Sequence, residues 1–361
     1  MTLGEIPGQA VATGLLIRAL AAGRLPHALL FQGAEGTGKA DAALALAAAI
    51  QCEAGGPDAC GACGPCLKVR KNLHPDVLRV TRLPKRETAA PAGEPEEDEA
   101  EEDADGKDLR RVITVDQIRE MAEHASFAPR EGRARVFVID PADRMNVAAQ
   151  NALLKTLEEP PGGATIVLVS SRPHALLPTV RSRCLAVRFR TMTSSDLASL
   201  LVARGMGPEE ARERAALAEG RPRIALALDR DAQDARRARR EEILLAIEAA
   251  ASGRPEDLAR LPSLAASCAG ESEESFLEAL DLAGALLRDA SRLAVGSPVS
   301  ALVHADLAGR IGALGERLGR SRAADLVRCV ERMRDDLGLN LSRSLLAEAL
   351  LASVAGAPLP F

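Results

Sequence analysis

"HALLFQGAEGTGKADAALALAAAIQC", residues 27–52, decides the fold. A short apolar run from His27 enters a Gly-rich turn at Gly33, and an Ala- and Leu-rich stretch leaves it at Lys39. Strand, G-x-x-x-x-G-K, helix is the layout of a phosphate-binding loop. The glycines let backbone N–H groups face an anion, and the lysine reaches the terminal phosphates. Gly33, Gly38 and Lys39 occupy those places and are the candidate nucleotide-binding residues. The next residue is Ala40, where a Ser or Thr hydroxyl would hold Mg²⁺ against the β- and γ-phosphates. The loop therefore has the shape of a nucleotide site without one of its metal ligands.

Outward from this stretch the chain alternates strand and helix patterns. "VLRV" (Val77 to Val80), "RARVFVID", "ATIVLVSS" and "CLAVRFR" read as strands, and "ITVDQIREMAEHASF" and "NVAAQNALLKTLEEPP" as helices, the first capped by Asp116 and the second ended by Pro160. Short, continuously apolar strands separated by helices predict an α/β domain, a parallel sheet covered on both faces, over residues 1–190. Such sheets bind ligands at the carboxyl ends of their strands, where Gly33 to Lys39 falls. From Thr191 no strand pattern remains. Three short helices are expected over 191–240, and longer helices with apolar residues at 3–4 spacing over 241–361.

Net charge is −5, but residues 94–108, "EPEEDEAEEDADGKD", hold ten acids and one lysine, so the remainder is mildly basic at +4. The segment of about 82–109 cannot bury apolar surface and is expected to be a disordered insertion. Six Phe with no Trp or Tyr argue against a base-stacking platform for single strands. Neither a membrane-length apolar run nor a signal-peptide layout is present, so the expectation is a soluble, cytoplasmic protein with no membrane partner.

Two further groups carry chemistry. Cys52, Cys60, Cys63 and Cys66 form C-x7-C-x2-C-x2-C within the module 52–66. Two C-x2-C steps with Gly and Pro between them can turn four thiolates onto one tetrahedral centre; structural zinc is the leading reading, with a disulfide pair or iron–sulfur ligation as rivals. Downstream, "RVFVIDPADRM" delivers Asp140 to the end of a strand, where a second nucleotide motif holds Mg²⁺. Hydrolysing proteins of this class place a Glu next, to orient the attacking water. Here Pro141 follows, and Asp143 comes two residues too late for that geometry. In "LPTVRSRC", Arg183 is either a surface ion-pair partner or an arginine finger reaching a neighbour's γ-phosphate, and spacing alone does not separate the two.

Taken together, "LPHALLFQGAEGTGK", the four-Cys module, "HPD" (His74 to Asp76), "VIDPADRMNVAAQNALLKTLEEPP" and "SRC" resemble the clamp-loader subunits of bacterial DNA polymerase III. These are AAA+ proteins with a small helical lid and a helical collar. The resemblance covers Gly8 to about Phe189 and implies lid 191–240 and collar 241–361. Two subunit types share the zinc module and the SRC motif, an ATP-hydrolysing motor (gamma/tau-like) and the delta-prime type. Ala40 and Pro141 match delta-prime, a stator that supplies no turnover of its own within the polymerase holoenzyme; the alternative is an active motor. The resemblance implies that Arg183, flanked by Ser182 and Cys184, serves a neighbouring motor's ATP site, a role worth on the order of 10³ or more in rate. It makes Cys52, Cys60, Cys63 and Cys66 zinc ligands. Gly33, Gly38, Lys39 and Asp140 become a degenerate nucleotide site, joined by Arg223 as a second sensor and by Ser170 to Arg172 where a first sensor sits. ATP or ADP binding there is left open. Implied partners are motor and delta subunits in a hetero-oligomeric ring, with sliding clamp and primed DNA reached through the complex.

Overall fold

The computed structural model describes residues 2–83, 100–102, 108–110, 112–270, 272–336 and 342–359. It divides into two compact units, 1–190 and 191–361.

The first unit contains α1 (Ala10–Ala21), β1 (Ala28–Gln32), α2 (Lys39–Gln51), α3 (Gly64–Arg70), β2 (Val77–Val80), β3 (Ala100–Glu102), β4 (Asp108–Arg110), α4 (Val115–Ala125), β5 (Val136–Ile139), α5 (Val147–Glu158), β6 (Thr165–Ser170), α6 (Pro178–Arg181) and β7 (Leu185–Arg188). Five strands form one sheet in the order β2-β5-β6-β1-β7, and every pair is parallel. The period-2 alternation of each strand sorts its side chains onto two faces. Leu29, Phe31, Val136, Val138, Val167 and Val169 pack with Leu16 of α1 and Leu46 of α2. Leu30, Phe137, Ile139, Ile166 and Leu168 pack with Ile118 of α4 and Leu153 of α5. Both faces are buried, which is why these strands read as unbroken apolar runs.

α4 departs from its expected start. Its cap is Thr114, whose hydroxyl and the Gln117 side chain form a capping box, while Asp116 lies inside the first turn. Thr114 has the extended φ/ψ a cap needs, and Asp116 beyond it still favours the positive helix end. Within the acidic segment expected to be disordered, β3 and β4 pair antiparallel; residues 84–99 and 103–107 of it lie outside the described residues.

The second unit is helical: α7 (Ser194–Ala203), α8 (Pro208–Leu217), α9 (Pro222–Ala227), α10 (Arg230–Ser252), α11 (Pro255–Leu258), α12 (Leu261–Ala269), α13 (Glu273–Ala294), α14 (Ala308–Asp336, broken at Gly319) and α15 (Arg343–Val354). It has two apolar clusters. One gathers α7 to α9 around Leu197, Leu201 and Ala215; the other gathers α10 and α12 to α15 around Leu244, Leu286 and Leu326. Among the described residues no helix is long and apolar enough to cross a membrane.

Candidate functional site: a phosphate loop, a four-cysteine module and Arg183

The phosphate loop is held from several sides. Gly33, Gly36 and Gly38 all have positive φ. At Gly33 (φ +152°) a Cβ would sit 2.2 Å from the Phe189 carbonyl oxygen, so only glycine lets the loop pass so close to the chain beyond β7. The Gly33 N–H donates to the Ser170 carbonyl, the Thr37 hydroxyl donates to the Ala34 carbonyl (2.8 Å), and Lys39 Nζ donates to the carbonyls of Gly33 and Ala34 (2.8 Å each). Gln9, which sequence reading passed over, is buried beside the loop. Its Nε2 donates to the carbonyls of Thr37 (3.3 Å) and Arg190 (2.6 Å), and its Oε1 accepts from Arg190 N–H (3.0 Å). A lone buried Gln gives no periodic signal, and these partners lie 28 and 181 residues away.

Asp140 follows β5 directly, two strands from β1 in the sheet. Its Oδ2 is 2.6 Å from Arg79 Nη2 on the adjacent β2, and the Asp140–Pro141 peptide is cis. Asp143 is buried. Its Oδ1 accepts from Ser171 N–H (3.0 Å) and its Oδ2 from Arg172 Nε (3.3 Å). That carboxylate therefore fixes the turn after β6. Ser170 is also buried, and its hydroxyl oxygen accepts from Arg172 N–H. The sensor-like stretch Ser170 to Arg172 and Asp143 are one hydrogen-bonded assembly. Arg223 lies in the second unit, exposed in the first turn of α9.

The cysteine module spans the end of α2 and the start of α3. Cys52 is the C-terminal cap of α2, Cys63 the N-terminal cap of α3, and Cys66 lies in the first turn of α3. All seven cysteines are free thiols, and the four sulfurs of the module lie within 4.8 Å of one another. Zn–S bonds of about 2.3 Å at tetrahedral angles put sulfurs about 3.8 Å apart, so a small contraction completes the centre. Cys60 N–H donates to Cys52 Sγ and Cys63 N–H to Cys60 Sγ, both at 3.3 Å. Backbone N–H groups of Ala62 and Cys63 lower the Cys60 thiol to about 6, while burial pushes the Cys66 thiol up to about 12, so the geometry of the four sulfurs rather than their acidity carries the metal reading. These four cysteines can hold a metal ion, and their chemistry fits zinc.

Neighbouring bonds tie the module and the helices beside it to the N-terminal turn and to the loop before β5. Asp58 accepts from the N–H groups of Leu3, Gly4 and Ala59. Lys68 pairs with Glu131, and Gln51 accepts from Arg133 N–H. Asp76 of the "HPD" stretch is fully buried and accepts from the N–H groups of Arg130 (2.7 Å), Glu131 (2.8 Å) and Gly132 (2.7 Å).

Arg183 follows the single turn of α6. Its Nε donates to Glu158 Oε1 at 2.7 Å, its Nη2 lies 2.5 Å from the same oxygen, and its Nη1 donates to the Thr179 carbonyl at 2.9 Å. The Ser182 hydroxyl donates to that same carbonyl at 3.1 Å. Burial pushes the Cys184 thiol up to about 12, so it is a packing group against the α5 face of the sheet rather than a nucleophile. In "SRC" the outer two residues thus seat the turn, and the middle one carries the charge.

The parallel five-stranded sheet, the phosphate loop and the four-cysteine module are those that the resemblance to clamp-loader subunits implied, and a helical second unit follows them. The chain belongs to the family described as "DNA polymerase III, delta subunit", whose model matches residues 8–193. It is similar to the DNA polymerase III subunit delta' of Bacillus subtilis (32% identical, 55% of this chain and 52% of that one) and to that of Pseudomonas aeruginosa (36%, covering 44% and 41%). It is equally similar to the subunit gamma/tau of Mycobacterium tuberculosis (35%, covering 55% and 30%). The chain spans about half, or less, of the length of these relatives.

Proposed function

We propose that this chain is a delta-prime-type stator of the clamp loader. It does not hydrolyse ATP itself, and it lends Arg183 to the ATP site of a neighbouring motor subunit. The observation that carries the reading is the commitment of both carboxylates after β5. Asp140 pairs with Arg79, Asp143 is tied to Ser171 and Arg172, and Pro141 between them has no acid to offer. Orienting an attacking water needs a carboxylate within hydrogen-bond reach of it, and Mg²⁺ needs the hydroxyl that Ala40 lacks.

The α/β domain would then keep its loop as a structural relic, with Gly33, Gly38 and Lys39 preserving its form and Arg223 having no turnover to sense. Zinc held by Cys52, Cys60, Cys63 and Cys66 is structural, since four thiolates leave no position for a reacting ligand. Residues 191–240 serve as lid and 241–361 as collar, the latter joining motor and delta subunits in a ring. Sliding clamp and primed DNA are reached through that complex. The similarity to gamma/tau subunits favours a second reading, an active motor.

ATP hydrolysis by the purified chain, compared with that of the same chain assembled with gamma/tau-type and delta subunits, separates the two. The stator reading expects the isolated chain to be silent and the complex active. Turnover by the isolated chain at motor-like rates would overturn it.

A further inference from the structure

We propose that Glu158 is the positioning residue of the arginine finger. It grips one edge of the Arg183 guanidinium so that the opposite edge is presented as a fork to a phosphoryl group on the partner. This rests on the finger reading above. A guanidinium has five N–H bonds in one plane. Here Nε and one N–H of Nη2 face Glu158 Oε1, and one N–H of Nη1 faces the Thr179 carbonyl. One N–H on each terminal nitrogen remains, and that pair is the fork that matches two phosphate oxygens. The side chain is still 36% exposed, so the fork is reachable.

The support beneath Glu158 is stiff. It is the last residue of α5, next to the fully buried Leu157, whose carbonyl lies 3.0 Å from His27 Nε2 at the start of β1. Pro160 and Pro161 end the helix just beyond. On the other side, the Thr179 carbonyl is held in α6 between the buried Leu176 and Val180. Two rigid elements, α5 through Glu158 and α6 through Thr179, therefore fix a long side chain that would otherwise sample many rotamers. A carboxylate at a helix C-terminus also sits against the negative end of the helix dipole. Helix stability does not ask for an acid there, whereas Arg183 does.

The test uses the loader reconstituted with this subunit and gamma/tau-type and delta partners, and reads kcat and KM for ATP. Fixing the guanidinium saves the transition state the cost of ordering it, and small misplacements in such sites cost up to about 100-fold. Glu158→Ala should lower kcat roughly 10- to 100-fold, and Glu158→Gln, which keeps an acceptor oxygen but not the charge, by a smaller factor, both with KM and ring assembly unchanged. Added to Arg183→Ala, either should change nothing further. Glu158→Asp, which keeps the charge, should recover part of the loss. Unchanged or raised kcat in both Glu158 variants would overturn the proposal, a rise because Glu158 would then hold the finger back rather than present it. An additive loss in the double variant would mean Glu158 acts elsewhere. Full activity of Arg183→Ala would instead remove the finger reading itself, and the positioning role with it. Glu158→Gln guards against a folding failure specific to Glu158→Ala, because it keeps size and one acceptor oxygen.

Discussion

Replacing Asp76 by Asn should destabilise the α/β unit by about 2–4 kcal/mol. The carboxylate is fully buried, and its two oxygens accept three backbone N–H bonds of 2.7–2.8 Å from Arg130, Glu131 and Gly132. A hydrogen bond to a charged acceptor contributes about 1.5–3 kcal/mol, so three would sum to roughly 5–9 if all the donors were left dry. Arg130 and Glu131 are exposed residues whose N–H groups can turn to water, which brings the expected loss down. Asn keeps one oxygen but puts an NH₂ where a second acceptor stood. Urea unfolding at pH 7 should show a lower midpoint at unchanged slope, with faster hydrogen exchange at residues 130–132. Acid supplies a second reading. Burial pulls the Asp76 pKa upward, but the three N–H donors and His74 outweigh it and hold the carboxyl below its ordinary 3.8. The folded state thus binds this proton less readily than the unfolded one, so the stabilisation is complete above 3.8 and fades as pH falls through the lower folded value. The gap between wild type and variant should close in that direction. A loss below about 1 kcal/mol at pH 7 would refute the reasoning, because it would mean the turn 130–132 satisfies its donors without Asp76.

Other substitutions follow from the site. Gly33→Ala should cost at least about 2–4 kcal/mol, since its Cβ would meet the Phe189 carbonyl at 2.2 Å, whereas Gly23→Ala, with positive φ but open space, should cost only about 1–2; thermal unfolding ranks the two. The purified chain should release one zinc per molecule to a chromogenic chelator on thiol modification, Cys66→Ser should abolish that release, and Cys268→Ser should leave it intact. Ala40→Ser should restore a metal hydroxyl without restoring turnover, as a phosphate-release assay would show, because Pro141 still supplies no carboxylate.

What was legible in the sequence was what local spacing encodes. The strand and loop at 27–39 and the two C-x2-C steps lie within a few residues of themselves, so the chemistry could be read directly. Both-faced burial of the sheet also followed from unbroken apolar runs. Pairing across the sheet did not: β5 and β6 lie between β2 and β1, an order that no single stretch encodes. The same distance hid Gln9 against Thr37 and Arg190, and Arg183 against Glu158. The spacing of Asp143 puts it two residues too late for the water-orienting place, whereas its bonds to Ser171 and Arg172 are visible only with β5 and β6 adjacent. Asp116 is the expected cap of α4 and Thr114 the observed one; both residue types cap well, and only the backbone conformation separates them.

The central claim is that the chemistry to which this chain contributes takes place in a neighbour's site. ATP turnover by the reconstituted loader carrying wild type or Arg183→Ala tests it most directly, with assembly checked by gel filtration. A fall on the order of 10³ in an intact complex is the expected result. Undiminished turnover with Arg183→Ala would contradict it.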